Sequence, residues 1–278
     1  MGRLDGKVAI VTGGARGQGR AHAIAFAQEG ASVVICDCPP KMEAVPYDTA
    51  SSAGLAETTR VIVEAGGRCV GIQADVRDPA SLDDVVQVGR DEFGPVDILC
   101  ANAGVLAFGP LLDAGPAVWD VNIAVNLTGV FNSIRAVLPT MLERQRGRII
   151  ATSSAGGRIG YPNLSAYCAA KWGVIGLVKS LCLELAPHGI TVNAIAPGMV
   201  DSDMINNPSV WRLFRPDLEH PGRSDVMQAW VDLTPNGAGP IAPGEVSGAA
   251  VFLASDAADQ ISGTCIDVTS GQSGRYTA

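Results

Sequence analysis

The chain is predicted to fold as an α/β domain, a seven-stranded parallel sheet with helices on both faces. Three observations predict it. Short apolar runs rich in Val and Ile alternate with amphipathic segments from residue 7 to residue 268. A glycine-rich turn, Thr12-Gly13-Gly14-Ala15-Arg16-Gly17-Gln18-Gly19, separates the first apolar run from the first helical segment. Small or polar residues recur where the apolar runs stop, which is where sheets of this kind bind ligands.

Composition sets the outer limits. Hydrophobic residues make up 47% of the 278 and there are 33 glycines, as in a turn-rich globular protein. No linker, repeat or low-complexity run divides the chain, so residues 1–278 are read as one domain. The net charge of −8, with 20 Lys and Arg residues that form no cluster, argues against nucleic acid or an anionic membrane and for a small-molecule partner. No uninterrupted apolar run approaches the roughly 18 residues of a membrane span, and the N-terminus has no signal-peptide core; a cytoplasmic protein is expected. The seven cysteines include no C-x-x-C pair, and the three histidines lack metal-ligand spacing, so no metal site is expected.

Residues 7–12, KVAIVT, form the first strand, and AHAIAFAQEG follows the turn as a helix. Strand, glycine-rich turn and helix present unpaired N–H groups and the positive end of a helix dipole to a phosphate. Glycine lets the backbone turn tightly and approach a pyrophosphate. Gly13, Gly17 and Gly19 are spaced G-x-x-x-G-x-G, unlike the commoner G-x-G-x-x-G. Alone, that spacing also suits an ordinary tight turn.

The next strand, 31–36, delivers Asp37. A carboxylate about 20 residues beyond the glycines accepts hydrogen bonds from the adenosine ribose and repels a 2′-phosphate, which favours NAD. Arg16 pulls the other way, since a guanidinium beside the phosphates also suits NADP. Residues 38–54, CPPKMEAVPYDTASSAG, replace the short connection expected here. They read either as a surface insertion or as a flap over the adenosine half of the cofactor. In the second reading Pro39, Pro40 and Pro46 restrict the unbound chain, and Val45 and Tyr47 shield the adenine.

Alternation continues with a helix near 55–65, a strand at 68–74, a helix near 80–93 and a strand at 96–100. Asp75 and Val76 end the first of these strands, where Asp75 is placed to bind an adenine. Asn102-Ala103-Gly104 follow the second and bring small groups toward the cofactor. A helical stretch from about 116 to 143 contains Asn126, mildly unfavourable in mid-helix and by itself only a polar surface choice.

Strand 148–153 leads to Ser154 and a second glycine-rich turn. The helix after it carries Tyr167 and Lys171 one turn apart on one face. A cation close to a phenol lowers its pKa by roughly one to three units, toward the range of general acid–base catalysis. Tyr-x-x-x-Lys also occurs by chance in many helices, so the rest of the chain has to decide. Strand 190–196 stops at Pro197-Gly198. From 199 to about 239 the alternation lapses into a mixed stretch carrying Met199, Met204, Trp211, Leu213, Phe214 and Trp230, read as a substrate lid or as a peripheral packed pair of helices. A helix at 244–254 and a strand at 264–268 complete the seven strands. Gly13, Asp37, Asp75, Asn102, Ser154 and Pro197 all fall at carboxyl ends of strands.

Taken in order, the glycine-rich turn, Asp75, Asn102-Ala103-Gly104, Asn126, Ser154, Tyr167/Lys171 and Pro197-Gly198 resemble the short-chain dehydrogenase/reductase family along essentially the whole chain. The resemblance implies a Rossmann-type doubly wound domain and a homotetramer. It implies that Tyr167 donates or accepts the proton, that Ser154 orients the substrate oxygen, and that Lys171 lowers the Tyr167 pKa and holds the nicotinamide ribose. Asn126 would anchor a water relaying protons to Lys171. NAD would lie against Gly13, Arg16, Gly17, Gln18, Gly19, Asp37, Asp75, Val76, Asn102, Ala103, Gly104, Tyr167, Lys171, Pro197, Gly198 and Val200. Ala101 stands where the family usually has Asn.

The insertion, the turn TGGARGQGRAHA and the lid text WRLFRPDLEHP (211–221) resemble more narrowly the mycofactocin-associated, carveol-dehydrogenase-like branch. Its members are thought to hold NAD(H) without releasing it and to pass electrons to a peptide-derived redox carrier. The tail GQSGRYTA departs from that pattern. The expected activity is therefore NAD-dependent interconversion of a hydrophobic secondary alcohol and its ketone. The alternatives are a conventional family member with freely exchanging NAD(P)(H) and an NAD(H)-binding redox sensor. Sensors tend to lose the catalytic Tyr or Lys, and both are present here.

Overall fold

The computed structural model describes residues 2–38, 42–49 and 51–276; Pro39 and Pro40 of the insertion lie outside them. Seven strands, β1 (Val8–Thr12), β2 (Ser32–Asp37), β3 (Arg68–Gln73), β4 (Ile98–Ala101), β5 (Gly147–Thr152), β6 (Ile190–Pro197) and β7 (Cys265–Val268), form one sheet in the order β3-β2-β1-β4-β5-β6-β7. Every pairing is parallel. The chain winds outward from β1 to β3 and then returns to place β4 beside β1. That reversal opens a crevice at the carboxyl ends of β1 and β4, between the glycine-rich turn and the Asn102 loop.

The five inner strands β2, β1, β4, β5 and β6 are buried nearly throughout because both faces are covered, whereas the edge strands β3 and β7 are partly exposed. On one face α1 (Gly17–Gln28), α2 (Ser52–Glu64) and α9 (Pro243–Ala254) bury Phe26, Leu55, Ile62 and Val246 against the sheet. On the other, α3 (Pro79–Phe93), α5 (Gly129–Arg144) and α6 (Ser165–Leu185) bury Val85, Ile134, Met141, Val174 and Val178. Helix starts follow local chemistry: the Ser51 hydroxyl and the Asp78 carboxylate accept from the first turns of α2 and α3, and Pro79 opens α3 with its fixed φ.

The single helix expected from 116 to 143 is divided. Helix α4 (Pro116–Ile123) passes through a π-helical segment, Ala124–Thr128, before α5 begins. Asn122 and Asn126, four residues apart, turn inward there and bond the backbone of the loop after β4, at Ala107 and Val105 respectively. A π segment of this kind is a frequent accommodation at functional sites. The stretch at 199–239 contains two helices, α7 (Pro208–Phe214) and α8 (Arg223–Leu233). Two helical stretches, 116–144 and 165–188, reach the length and mean hydropathy of a membrane span, although neither is an uninterrupted apolar run. Much of that apolar character packs against the sheet.

A third apolar cluster lies over the carboxyl edge. Val45 and Tyr47 of the insertion, Val76, Val105, Leu106 and Val125, and Val210 of α7 are buried together, with Met204 and Phe214 against them. Insertion and lid therefore pack into one structure.

Candidate active site

The crevice opens into a cavity of about 470 Å³, a size suited to a small organic ligand. Among the residues named above for NAD or catalysis, all but Asn126 line it. Gly13 and Gly17 have positive φ, +72° and +54°. A Cβ on Gly19 would stand 1.9 Å from the Gly13 carbonyl oxygen, and one on Gly13 would stand 2.9 Å from Cα of Ala103. Side chains are excluded from both contacts, which leaves a backbone cradle. Arg16 caps α1 with no side-chain hydrogen bond to the helix, so the first N–H groups remain turned to the cavity. The buried Oε1 of Gln18 also lacks a partner among the described residues. These features fit a dinucleotide pyrophosphate.

Thr12, at the end of β1, locks the cradle to the Asn102 loop: its Oγ1 accepts from the N–H groups of Asn102 and Ala103, each at 3.0 Å. Asn102 Nδ2 donates to the Thr12 carbonyl at 3.1 Å. Asp37 accepts from Ala15 N at 3.0 Å and Cys38 N at 2.9 Å. Burial raises its pKa, against those bonds and the nearby charge of Arg16. Asp75 lines the cavity but is held by Arg77, with Nη2 2.6 Å from Oδ2. Burial opposes its ionisation, yet the Arg77 bonds leave its pKa lowered.

Arg16 does not lie open to a 2′-phosphate. Its Nη1 pairs with Asp203 of the lid at 2.8 Å and its Nη2 donates to the Asp48 carbonyl at 2.5 Å. The insertion reaches across the cavity through Tyr47. The Tyr47 hydroxyl accepts from Leu106 N at 2.9 Å, and its ring lies 5.8 Å from the Arg16 guanidinium. Burial lifts its pKa to about 12, with Tyr167 and Asp203 among the lesser influences. Tyr47 thus stands toward Tyr167 and Asp203, while Asp37, Cys38 and Asp75 line the cavity at the ends of β2 and β3. Val45 and Tyr47 are buried in the apolar cluster with Val105, Leu106 and Val210.

Tyr167 and Lys171 share one face of α6, and the Lys171 ammonium lies 5.8 Å from the centre of the Tyr167 ring. Lys171 is 3% exposed and donates to the Thr152 carbonyl at 2.8 Å. Burial lowers its pKa to about 8. Burial also pushes the Tyr167 phenol up to about 12, although the hydrogen bond with Ser154 pulls it down. Desolvation of the phenolate dominates this direction, and the Lys171 ammonium is turned to the Thr152 carbonyl. Ser154 also accepts from Gly156 N at 3.1 Å.

Asn126 is buried behind the wall. Its Oδ1 accepts from Val105 N at 2.9 Å, and its Nδ2 donates to Val105 O and to Asn122 Oδ1. Gly104 fills the space between it and Lys171: a Cβ there would lie 2.9 Å from Asn126 Oδ1 and 3.5 Å from Lys171 Nζ.

The lid contributes Met199, Met204, Leu213 and Phe214 to the cavity wall. Trp230, fully buried, supports them from behind, edge-on to Phe214 with ring centres 6.0 Å apart. Sequence reasoning assigned no role to Thr12, Asn122, Tyr161, Asp203 or Gln272. The Asn122/Asn126 spacing was a legible signal for one of these; the tail around Gln272 carries no periodicity to mark it.

A family model described as short chain dehydrogenase matches residues 7–212. The chain is 42% identical to (-)-trans-carveol dehydrogenase of Rhodococcus erythropolis over 277 residues, covering 98% of this chain and 99% of that protein. A crystal structure of carveol dehydrogenase from Mycobacterium avium in complex with NAD superposes with a TM-score of 0.95 at 40% identity, over 98% of this chain and 99% of the other. A short chain dehydrogenase from Mycobacterium paratuberculosis bound to NAD gives 0.86 at 35% identity, over 98% and 100%.

Proposed function

The chain belongs to the short-chain dehydrogenase family, and we propose that within it this protein is an NAD-dependent enzyme interconverting a hydrophobic secondary alcohol and its ketone. One observation carries the reading: Tyr167, Ser154 and Lys171 converge on a cavity that is apolar on the lid side and continuous with the glycine cradle. Bound NAD supplies the hydride acceptor, and as NADH the donor. Tyr167 moves the proton of the substrate oxygen, and Ser154, bonded to Tyr167, orients that oxygen. Lys171 keeps donors beyond its bond to Thr152 for the nicotinamide ribose. Asn126, bonded to the Val105 backbone, holds the loop that sets Gly104 against Lys171.

The finer reading is that NAD(H) stays bound and is reoxidised in place by a mycofactocin-type, peptide-derived carrier. The joint packing of insertion and lid over the cavity supports it. A cytoplasmic homotetramer is the proposed state. Trp119, Phe131 and Trp172, about half exposed on α4, α5 and α6, supply an apolar face for subunit contact.

The test is Tyr167→Phe. It should lower turnover of a cyclic secondary alcohol by about 10²- to 10⁴-fold while cofactor affinity changes little. Activity above about a hundredth of the original refutes the assignment.

A further inference from the structure

The substrate side of the cavity is apolar along Val105, Leu106, Met204, Val210, Leu213 and Phe214. A polar pair interrupts it where the C-terminal turn after β7 meets the loop before α6. Nε2 of Gln272 donates to the Tyr161 hydroxyl at 2.8 Å, and both side chains line the cavity. Gln272 is only 8% exposed.

A phenol hydroxyl both donates and accepts. That of Tyr161 accepts from Gln272, and its own proton has no acceptor among the described residues. Burial raises its pKa, so the proton stays in place at neutral pH. The loop that carries it is fixed. Leu164 N donates to the Tyr161 carbonyl at 3.2 Å, and Gly109 N to the Asn163 carbonyl at 3.0 Å. Asn163 adopts a left-handed φ of 66°, a conformation that asparagine tolerates better than most residues. The tail is fixed as well, by Gln272 N donating to the Thr269 carbonyl at 3.0 Å and Ser273 N to Thr269 Oγ1 at 3.1 Å.

In an apolar pocket, a few fixed polar groups set the orientation of the ligand. Tyr167 and Ser154 serve the reacting oxygen, so a substrate with one oxygen leaves the Tyr161 donor unmatched. On the alcohol–ketone reading of the site, we propose that Tyr161, positioned by Gln272, donates a hydrogen bond to a second oxygen of the substrate, a carbonyl, ether or hydroxyl. The preferred substrates are then dioxygenated.

The experiment compares cyclohexanol with the regioisomeric cyclohexanediols, using the full-length protein preloaded with NAD and following formation of bound NADH in a single turnover. At least one diol should exceed cyclohexanol in the second-order rate constant of that turnover by about tenfold, the size of one hydrogen bond. Tyr161→Phe should bring that ratio to about one, and Gln272→Leu should leave it in between. Damage to packing lowers both substrates together and leaves the ratio alone. A ratio unchanged in Tyr161→Phe, or no diol better than cyclohexanol, overturns the second-oxygen assignment while the alcohol chemistry stands. Failure to oxidise any of these alcohols with NAD overturns both.

Discussion

Arg16 joins two segments that close over one groove: its guanidinium lies 2.8 Å from the Asp203 carboxylate of the lid and 2.5 Å from the Asp48 carbonyl of the insertion. An exposed ion pair of this type contributes little to global stability. Its effect is local, because both partners belong to covering segments. Arg16→Ala should leave the melting temperature nearly unchanged and speed NADH release. It should not improve NADP, since the Asp37 carboxylate that repels a 2′-phosphate remains. Stopped-flow release and kcat/KM for both cofactors check this, and a gain in NADP preference on losing Arg16 is the contrary outcome.

The Tyr167 phenol, raised by burial to about 12, is protonated through the neutral range. That form suits donation to a ketone. Oxidation of an alcohol needs the phenolate, whose fraction grows tenfold per pH unit below the pKa. The kcat/KM for oxidation should therefore climb between about pH 6 and pH 9 while that for reduction stays flat over the same range. Single-turnover profiles of the NAD- and NADH-loaded protein in the two directions decide it; a falling oxidation limb would contradict the assignment of Tyr167 as base.

His22, on α1, is fully buried, with Nδ1 2.8 Å from Ser247 Oγ and no partner for Nε2 among the described residues. Burial lowers its pKa from 6.5 to about 4. Between those values the unfolded chain binds a proton that the folded chain does not. Stability is then lost as pH falls through that window, by an amount on the order of 3 kcal/mol from this one group. Urea midpoints at pH 7 and pH 4.5 measure the loss, and His22→Asn should reduce it. An unchanged pH dependence in the variant would show that other groups carry it.

The sheet was legible because its strands are buried on both faces and read as apolar runs, each ending near a residue that lines the cavity. The glycine-rich turn was legible because only glycine fits at Gly19, where a Cβ would meet the Gly13 carbonyl oxygen. The π segment around Asn126 was not, since its cause is the backbone of a loop some twenty residues upstream. The surroundings of Tyr167 and Lys171 were not legible for a related reason. Spacing shows that Lys171 is close but not that its ammonium is turned to Thr152. Nor does composition reveal that Tyr47 would bond Leu106, because long-range packing places the insertion.

The packing of the insertion makes retention of NAD(H) testable on single contacts. Val45, 1% exposed, and Tyr47, 9% exposed, are anchored in the cluster beneath the lid, and Tyr47 is bonded to Leu106 N. Exit of the cofactor then requires Arg16 to release Asp48 and the Tyr47 anchor to lift from a buried site. A thousandfold slowing needs about 4 kcal/mol at the barrier. Lifting an aromatic side chain out of an apolar cluster supplies roughly 1.5–3 kcal/mol, and a hydrogen bond adds about 0.5–1.5. Tyr47→Phe removes only the hydrogen bond and should speed NADH release severalfold. Replacing residues 38–54 with a short turn removes both contributions and should speed it by about a thousandfold, with steady turnover on added NAD now possible without a second carrier. Stopped-flow fluorescence of bound NADH reads both rates. If the intact protein already exchanges NAD within seconds, or the shortened one releases NADH no faster, the insertion is not what holds the cofactor.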